Sequence, residues 1–156
     1  MDTVTYPDPA VDAALSAHYT GFKLCLLEKH PDFKESAGGT PIPWAPTFRY
    51  TDAKGREIRR AVGWYNPTDF VAELAIARAH YELGRWRFDQ ALELFESVAG
   101  GETRAASEAG YYAGVALFIQ GKRDMAALKE RWNRLRAESP ESDWAQKASV
   151  VEDWTG

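Results

Sequence analysis

NPTDFVAELAIARAHYELG, residues 66–84, decides how the rest of the chain is read. It opens with a start signal: Asn66 suits an N-cap, Pro67 fits a first turn, and Asp69 lies near the positive end of the helix dipole. Phe70, Leu74, Ala77 and Tyr81 then fall on one helical face, and Gly84 stops the run. The same pattern continues beyond it. A second helix is predicted from Phe88 to Ala99, ended by Gly100-Gly101, and a third from Arg104 to Gln120, ended by Gly121. Asp124 caps a fourth that runs out before Ser139-Pro140. Ser142 caps a last one with Trp144, Ala148 and Val151 at helical spacing.

A shift of 37 residues lays this helical part on itself. Leu74 falls on Tyr111, Ala77 on Gly114, Tyr81 on Phe118 and Gly84 on Gly121; further on, Ala91 falls on Leu128, Phe95 on Trp132 and Val98 on Leu135. Each unit is a helix, a glycine turn and a second helix. The small residue, Ala77 or Gly114, lets the partner helix approach, and the ring of Phe95 or Trp132 fills the space between neighbouring units. The pattern resembles a tetratricopeptide repeat (TPR), whose period is about 34 residues. It departs from it by about two extra residues between the turn glycine and the second helix. The resemblance implies stacked helical hairpins that bind peptides or proteins and carry no chemistry, with the helix from Ser142 to Asp153 capping the stack. A plain helical bundle with accidental spacing is the alternative.

Ahead of residue 66 the signals are mixed. Val11, Ala14, Leu15 and His18 give a short helix from Pro9 to Tyr19, stopped by Gly21. Phe22-Lys23-Leu24-Cys25-Leu26-Leu27 is a compact apolar run of strand length and is predicted to be a buried strand. His30-Pro31-Asp32 opens a short helical turn that ends at Gly38-Gly39. Three prolines within Thr40 to Pro46 forbid a helix there. Thr47 to Tyr50 alternates like a strand, Asp52 to Gly55 is turn chemistry, and Glu57 to Val62 returns as a second strand ended by Gly63.

Three of these features together resemble the C-terminal portion of a thioredoxin domain. Tyr19 to Pro31 is similar to the strand after the active-site helix, and Trp44-Ala45-Pro46-Thr47 to the loop with the cis-proline. Asp52 to Gly63 is similar to the final hairpin and Asn66 to Ala77 to the final helix. The resemblance covers residues 4–77 and extends to bacterial proteins in which a thioredoxin domain precedes TPR-like helices. In those proteins a stretch like Met1 to Val11 sits just after the start of the Cys-x-x-Cys helix. Both active cysteines and the central strand would therefore lie ahead of the first residue, and they are absent here. The resemblance implies a cis Ala45–Pro46 bond and a peptide-binding surface at Trp44, Ala45 and Pro46, with Trp64 and Tyr65 beside it. Both tryptophans serving as core is the competing expectation. Without the central strand, the edges of the Phe22–Leu27 and Thr47–Tyr50 strands stand open, which invites a homo-oligomer.

The chemistry expected of the chain is limited. Its single cysteine, Cys25, sits between Leu24 and Leu26, and dithiol exchange needs a low-pKa thiolate and a resolving partner. His18, His30 and His80 have no metal-ligand spacing, alone or with Cys25. His30 reads as a surface turn residue, and Glu93 and Glu96 as one solvated helix face. No catalytic residue, cofactor or metal ligand is assigned.

Composition agrees with a binding role. The net charge of −4 is carried wholly by residues 67–156, with 11 Lys/Arg against 15 Asp/Glu, while residues 1–66 balance at 8 and 8. Clustered cations for phosphate are lacking, so no nucleic acid is expected. No targeting segment and no apolar run of membrane length is present, so no membrane association and a cytoplasmic location are expected. The expected fold is α+β/α, a truncated thioredoxin-like βαββα unit over residues 1–77 and a TPR-like helical domain over 78–156, with helix 67–83 shared. The expected function is a non-catalytic protein-interaction module for a protein or peptide partner. The alternative is a thiol–disulfide oxidoreductase or redox chaperone whose Cys-x-x-Cys site lies outside this chain.

Overall fold

The computed structural model describes residues 1–28 and 30–153; Lys29, the segment 154–156 and the side chain of Leu26 lie outside that description. Asp8 accepts a hydrogen bond from the Ala10 amide and starts α1 (Pro9–His18) with a proline in its first turn. A 3₁₀ turn, Leu26–Glu28, and a one-turn helix α2 (Phe33–Ser36) follow. The strands β1 (Thr47–Thr51) and β2 (Glu57–Val62) form an antiparallel ribbon with Phe48 opposite Ala61, Arg49 opposite Arg60 and Tyr50 opposite Arg59. The turn between them is closed by Asp52, whose carboxylate accepts from the amides of Lys54 and Arg56, and by Gly55 at φ 76°. Then come α3 (Pro67–Gly84), α4 (Phe88–Ala99), α5 (Ala106–Gln120), α6 (Met125–Glu138) and α7 (Asp143–Ala148), the last continued by a 3₁₀ turn, Ser149–Glu152. Among the described residues the fold is thus mixed α+β and rich in helix.

The predicted strand Phe22–Leu27 does not form. Residues 20–25 are irregular, and Phe22 and Leu27 are 76% and 86% exposed. A short apolar run without alternation becomes a strand only where neighbours cover both faces. The described sheet has two strands and no third. The expected βαββα unit therefore lacks its first strand, and Cys25 lies half-buried in irregular chain instead of mid-strand. The argument for a homo-oligomer from a gap beside that strand lapses with it.

The chain divides into two compact units, Met1–Val71 and Ala72–Gly156, and the division falls inside α3, ahead of residue 77. In the first unit, period-two alternation sorts the ribbon into two faces. Phe48 and Tyr50 face the aromatic core, where Phe48, Tyr65 and Tyr6 surround Phe70 at ring separations of 4.9–6.0 Å. Arg49, Arg60 and Glu57 occupy the other face. Glu57 takes a 2.8 Å bond from Arg49 and 2.8 and 2.6 Å bonds from Arg60. The same two guanidiniums donate to the carbonyls of Ser36 and Ala37, at the C-terminal end of α2. Cations there complement the orphan carbonyls and negative dipole end of a helix. Gly38, at φ 67°, allows this approach, since a Cβ would stand 2.7 Å from Arg49 Nε.

In the second unit, the helices alternate in direction and bury two clusters. Ala72, Ile76 and Ala79 of α3 pack with Ala91, Phe95 and Val98 of α4 and Ala109 and Ala113 of α5. Leu128, Trp132 and Leu135 of α6 pack with Ala148, Val151 and the partly buried Tyr111, Val115 and Phe118. Phe95 and Trp132, 37 positions apart, are both buried, as are Ala91 with Leu128 and Val98 with Leu135. The bounds of α4 and α6 superpose under the same shift at their first residues, Phe88 and Met125. Gly114 has the contact its size suggests: a Cβ there would lie 2.5 Å from Trp132 Nε1, which donates a 2.9 Å bond to the Tyr111 carbonyl.

Candidate functional site

The open end of the β-ribbon gathers the residues singled out from the sequence. Thr47 pairs with Val62, so Pro46 and Gly63 face each other one step further out, and the Gly63 amide donates to the Pro46 carbonyl at 2.9 Å. Trp44 and Ala45 leave one strand at this end; Trp64 and Tyr65 leave the other. The Ala45–Pro46 bond is cis, as expected. The Thr47 hydroxyl donates to the Trp44 carbonyl at 2.6 Å and closes a tight turn before β1.

These five residues divide by exposure. Trp44 is 69% exposed and Trp64 47%, with Ala45 exposed beside them and Val62 adding further apolar surface. The expectation that both indoles are core is overturned. Tyr65 differs: it is half-buried, its ring meets Phe48 at 5.7 Å, and its carbonyl accepts a 2.6 Å bond from buried Thr5. It holds the site's floor. Pro46 is half-buried between Ala45 and the start of β1. Each strand of the ribbon also keeps one edge with no strand against it among the described residues.

The titratable groups lie elsewhere. His18 and His30 are exposed, and His30 Nδ1 accepts from the Asp32 amide. His80 is enclosed between α3, α4 and α5, its ring 5.3 Å from Phe95 and 4.4 Å from Tyr112, with Nε2 3.2 Å from Glu108 Oε1. Among the described residues, no three His, Cys, Asp or Glu side chains converge as metal ligands would. Glu57 is the most displaced acid: hydrogen bonds from Arg60, then from Arg49, hold its carboxyl down to about 2 against the pull of partial burial. A cavity of about 260 Å³ at the α6–α7 corner is lined by Arg136, Pro140, Ala145, Gln146 and Ser149, and the Arg136 guanidinium there is bonded to Glu152.

Sequence reading missed three arrangements. Glu96 does not share a solvated face with Glu93, because it makes a bidentate pair with buried Arg131 at 2.7 and 3.2 Å. The Arg49–Glu57–Arg60 triad required the strand register, which sets Arg49 opposite Arg60. Trp86 is 75% exposed in the α3–α4 turn and lacked a helical period to flag it. No described helix is long and apolar enough to cross a membrane. No protein-family model, curated protein or solved structure matches the chain.

Proposed function

We propose that the protein is a non-catalytic interaction module that holds an extended segment of a partner protein at the open end of its β-ribbon. The observation that carries this reading is the pair of exposed indoles, Trp44 and Trp64, in the segments just beyond the Pro46–Gly63 backbone bond that closes the ribbon. Large aromatic side chains are costly to leave in water. Where they anchor an interface they supply much of its energy, at little conformational cost. The neighbouring strand edges offer backbone donors and acceptors to an added strand. In this reading the ribbon and the helix after it are the last hairpin and helix of a thioredoxin-like domain, and α3–α6 are two TPR-like hairpins. The 37-residue correspondence of helix bounds and buried rings supports the second assignment.

The test is a peptide-display selection on the wild-type chain, counter-selected on the Trp44→Ala/Trp64→Ala variant. Both side chains are exposed, so the variant should keep its circular dichroism and melting temperature. Peptides recovered on the wild type should bind the variant about tenfold or more weakly, the scale of one lost aromatic anchor. Equal enrichment on both proteins would reject the site.

A further inference from the structure

The two turns that join α3 to α4 and α5 to α6 contain the extra residues by which this chain departs from the TPR pattern, and those residues are in an unusual state. Helix-ending glycines commonly take the left-handed conformation themselves. Here Gly84 and Gly121 do not; it passes to Trp86 (φ 63°), Lys122 (φ 56°) and Arg123 (φ 74°). Bulky side chains at positive φ are costly, and such outliers motivate a search for function. Trp86 and Arg123 are 37 positions apart, so the outlier recurs at equivalent places. Both turns lie at the same end of the antiparallel helices. They are held side by side by a hydrogen bond from the Gln120 amide group to Asp89.

The side chains so displayed are one indole and four cations. Trp86 packs edge-on against Phe88 and is otherwise largely exposed, as is Met125 at the start of α6. The acids of this edge are all engaged: Glu82 pairs with Arg87 at 3.0 Å, Asp89 accepts from Gln120, and Asp124 caps α6 through the amides of Ala126 and Ala127. Arg85 lies over the Tyr81 ring at 5.4 Å, and Lys122 and Arg123 have no carboxylate at ion-pair distance among the described residues. The edge therefore carries four cations, Arg85, Arg87, Lys122 and Arg123, against the three carboxylates of Glu82, Asp89 and Asp124, a small positive excess beside an indole within a half of the chain that is acidic.

We propose that this edge docks an acidic, extended protein segment bearing an apolar or aromatic side chain. Charge complementarity selects an anion, and the exposed indole selects one with an apolar group beside it. Breadth separates a peptide from a bilayer or a nucleic acid. Screening confines the attraction of the cations to about 8 Å. A broad anionic surface would also meet the 15 acids that outnumber 11 cations over residues 67–156. A single strand of peptide meets the two turns alone. Packed helices stand about 8–10 Å apart and an extended chain advances about 3.3 Å per residue, so three or four residues reach from one turn to the other.

The full chain should be titrated into a fluorescein-labelled random glutamate–tyrosine copolymer, with a lysine–tyrosine copolymer, phosphatidylglycerol vesicles and oligo-dT as competitors. The glutamate–tyrosine copolymer should bind, and added salt should weaken it. Trp86→Gly and Arg123→Gly should each weaken binding roughly fivefold, the scale of one exposed ionic or cation–π contact. Both relieve a left-handed residue, so the melting temperature should hold or rise as binding falls. Trp44→Ala/Trp64→Ala should leave this binding intact, which separates it from the ribbon site. Absence of binding, wild-type affinity in both glycine variants, or tighter binding of vesicles or oligo-dT would overturn the proposal.

Discussion

At the scale of single residues, the second unit turns on Gly114. An alanine methyl there would sit 2.5 Å from the Trp132 indole nitrogen and 2.6 Å from its Cδ1, closer than any relaxed carbon contact. Alanine would be worth about 1 kcal/mol to an exposed helix over glycine. Overpacking a core by one methyl costs about 1–3 kcal/mol. The clash wins, and Gly114→Ala should lower stability in urea denaturation, most of it by displacing the indole from the Tyr111 carbonyl. Trp132→Ala removes a buried ring and should cost more, about 3–5 kcal/mol. A stabilised Gly114→Ala protein would mean that α5 and α6 lie further apart than described. The small residue and the ring opposite it were legible in the sequence because helical spacing puts both on facing sides. The pairing of buried Arg131 with Glu96 was not, because its partners lie on different helices and neither spacing nor composition joins them.

At the scale of elements, the ribbon depends on one carboxylate. Arg49 and Arg60 stand directly opposite each other, and like charges in that position repel. Glu57 bridges them, and its folded-state pKa is depressed to about 2. A depressed acid stabilises the fold above its unfolded value and loses that contribution as pH falls through the folded one. The first unit should therefore weaken between about pH 4.5 and pH 2, through the window where Glu57 takes up its proton. The carboxylate is about a third exposed, so solvent screens the effect. Glu57→Gln should destabilise at neutral pH and flatten the acid limb of a melting-temperature profile; an unchanged limb would place the acid response elsewhere. Strand and turn were readable here from alternation and from Asp52 to Gly55. The Phe22–Leu27 run misled because strand length and apolarity do not say whether a neighbour exists to pair with it. The starts of α6 and α7 were readable because Asp124 and Ser142 each make the cap bond that their residue type suggests.

At the scale of the whole molecule, the last helix covers a cluster that α6 would otherwise leave open. Ala148 and Val151 are fully buried against Leu128, Trp132 and Leu135. A chain ending at Glu138 would expose that cluster, and it should bind the dye ANS and melt at lower temperature than the full chain; a truncated protein with unchanged melting would remove α7 from the core. The sequence made the helical order and the exposed ribbon end accessible through caps, stops and proline density. It left Trp86 unmarked, because the residue lies in the α3–α4 turn, where no helical period reaches it.

The placement of the tryptophans has an optical consequence. Trp132 is buried and stacked on Tyr111, while Trp44, Trp64 and Trp86 stand in solvent. Intrinsic emission should therefore include a short-wavelength component from Trp132 and a long-wavelength component from the exposed three, beside the contributions of Trp144 and Trp154. Iodide should quench the second and spare the first. A partner seated on the ribbon end would shield Trp44 and Trp64 from iodide, and one seated on the helical turns would shield Trp86. The chain thus carries its own reporters for which face is occupied, and single tryptophan-to-phenylalanine replacements would assign each signal without an added label.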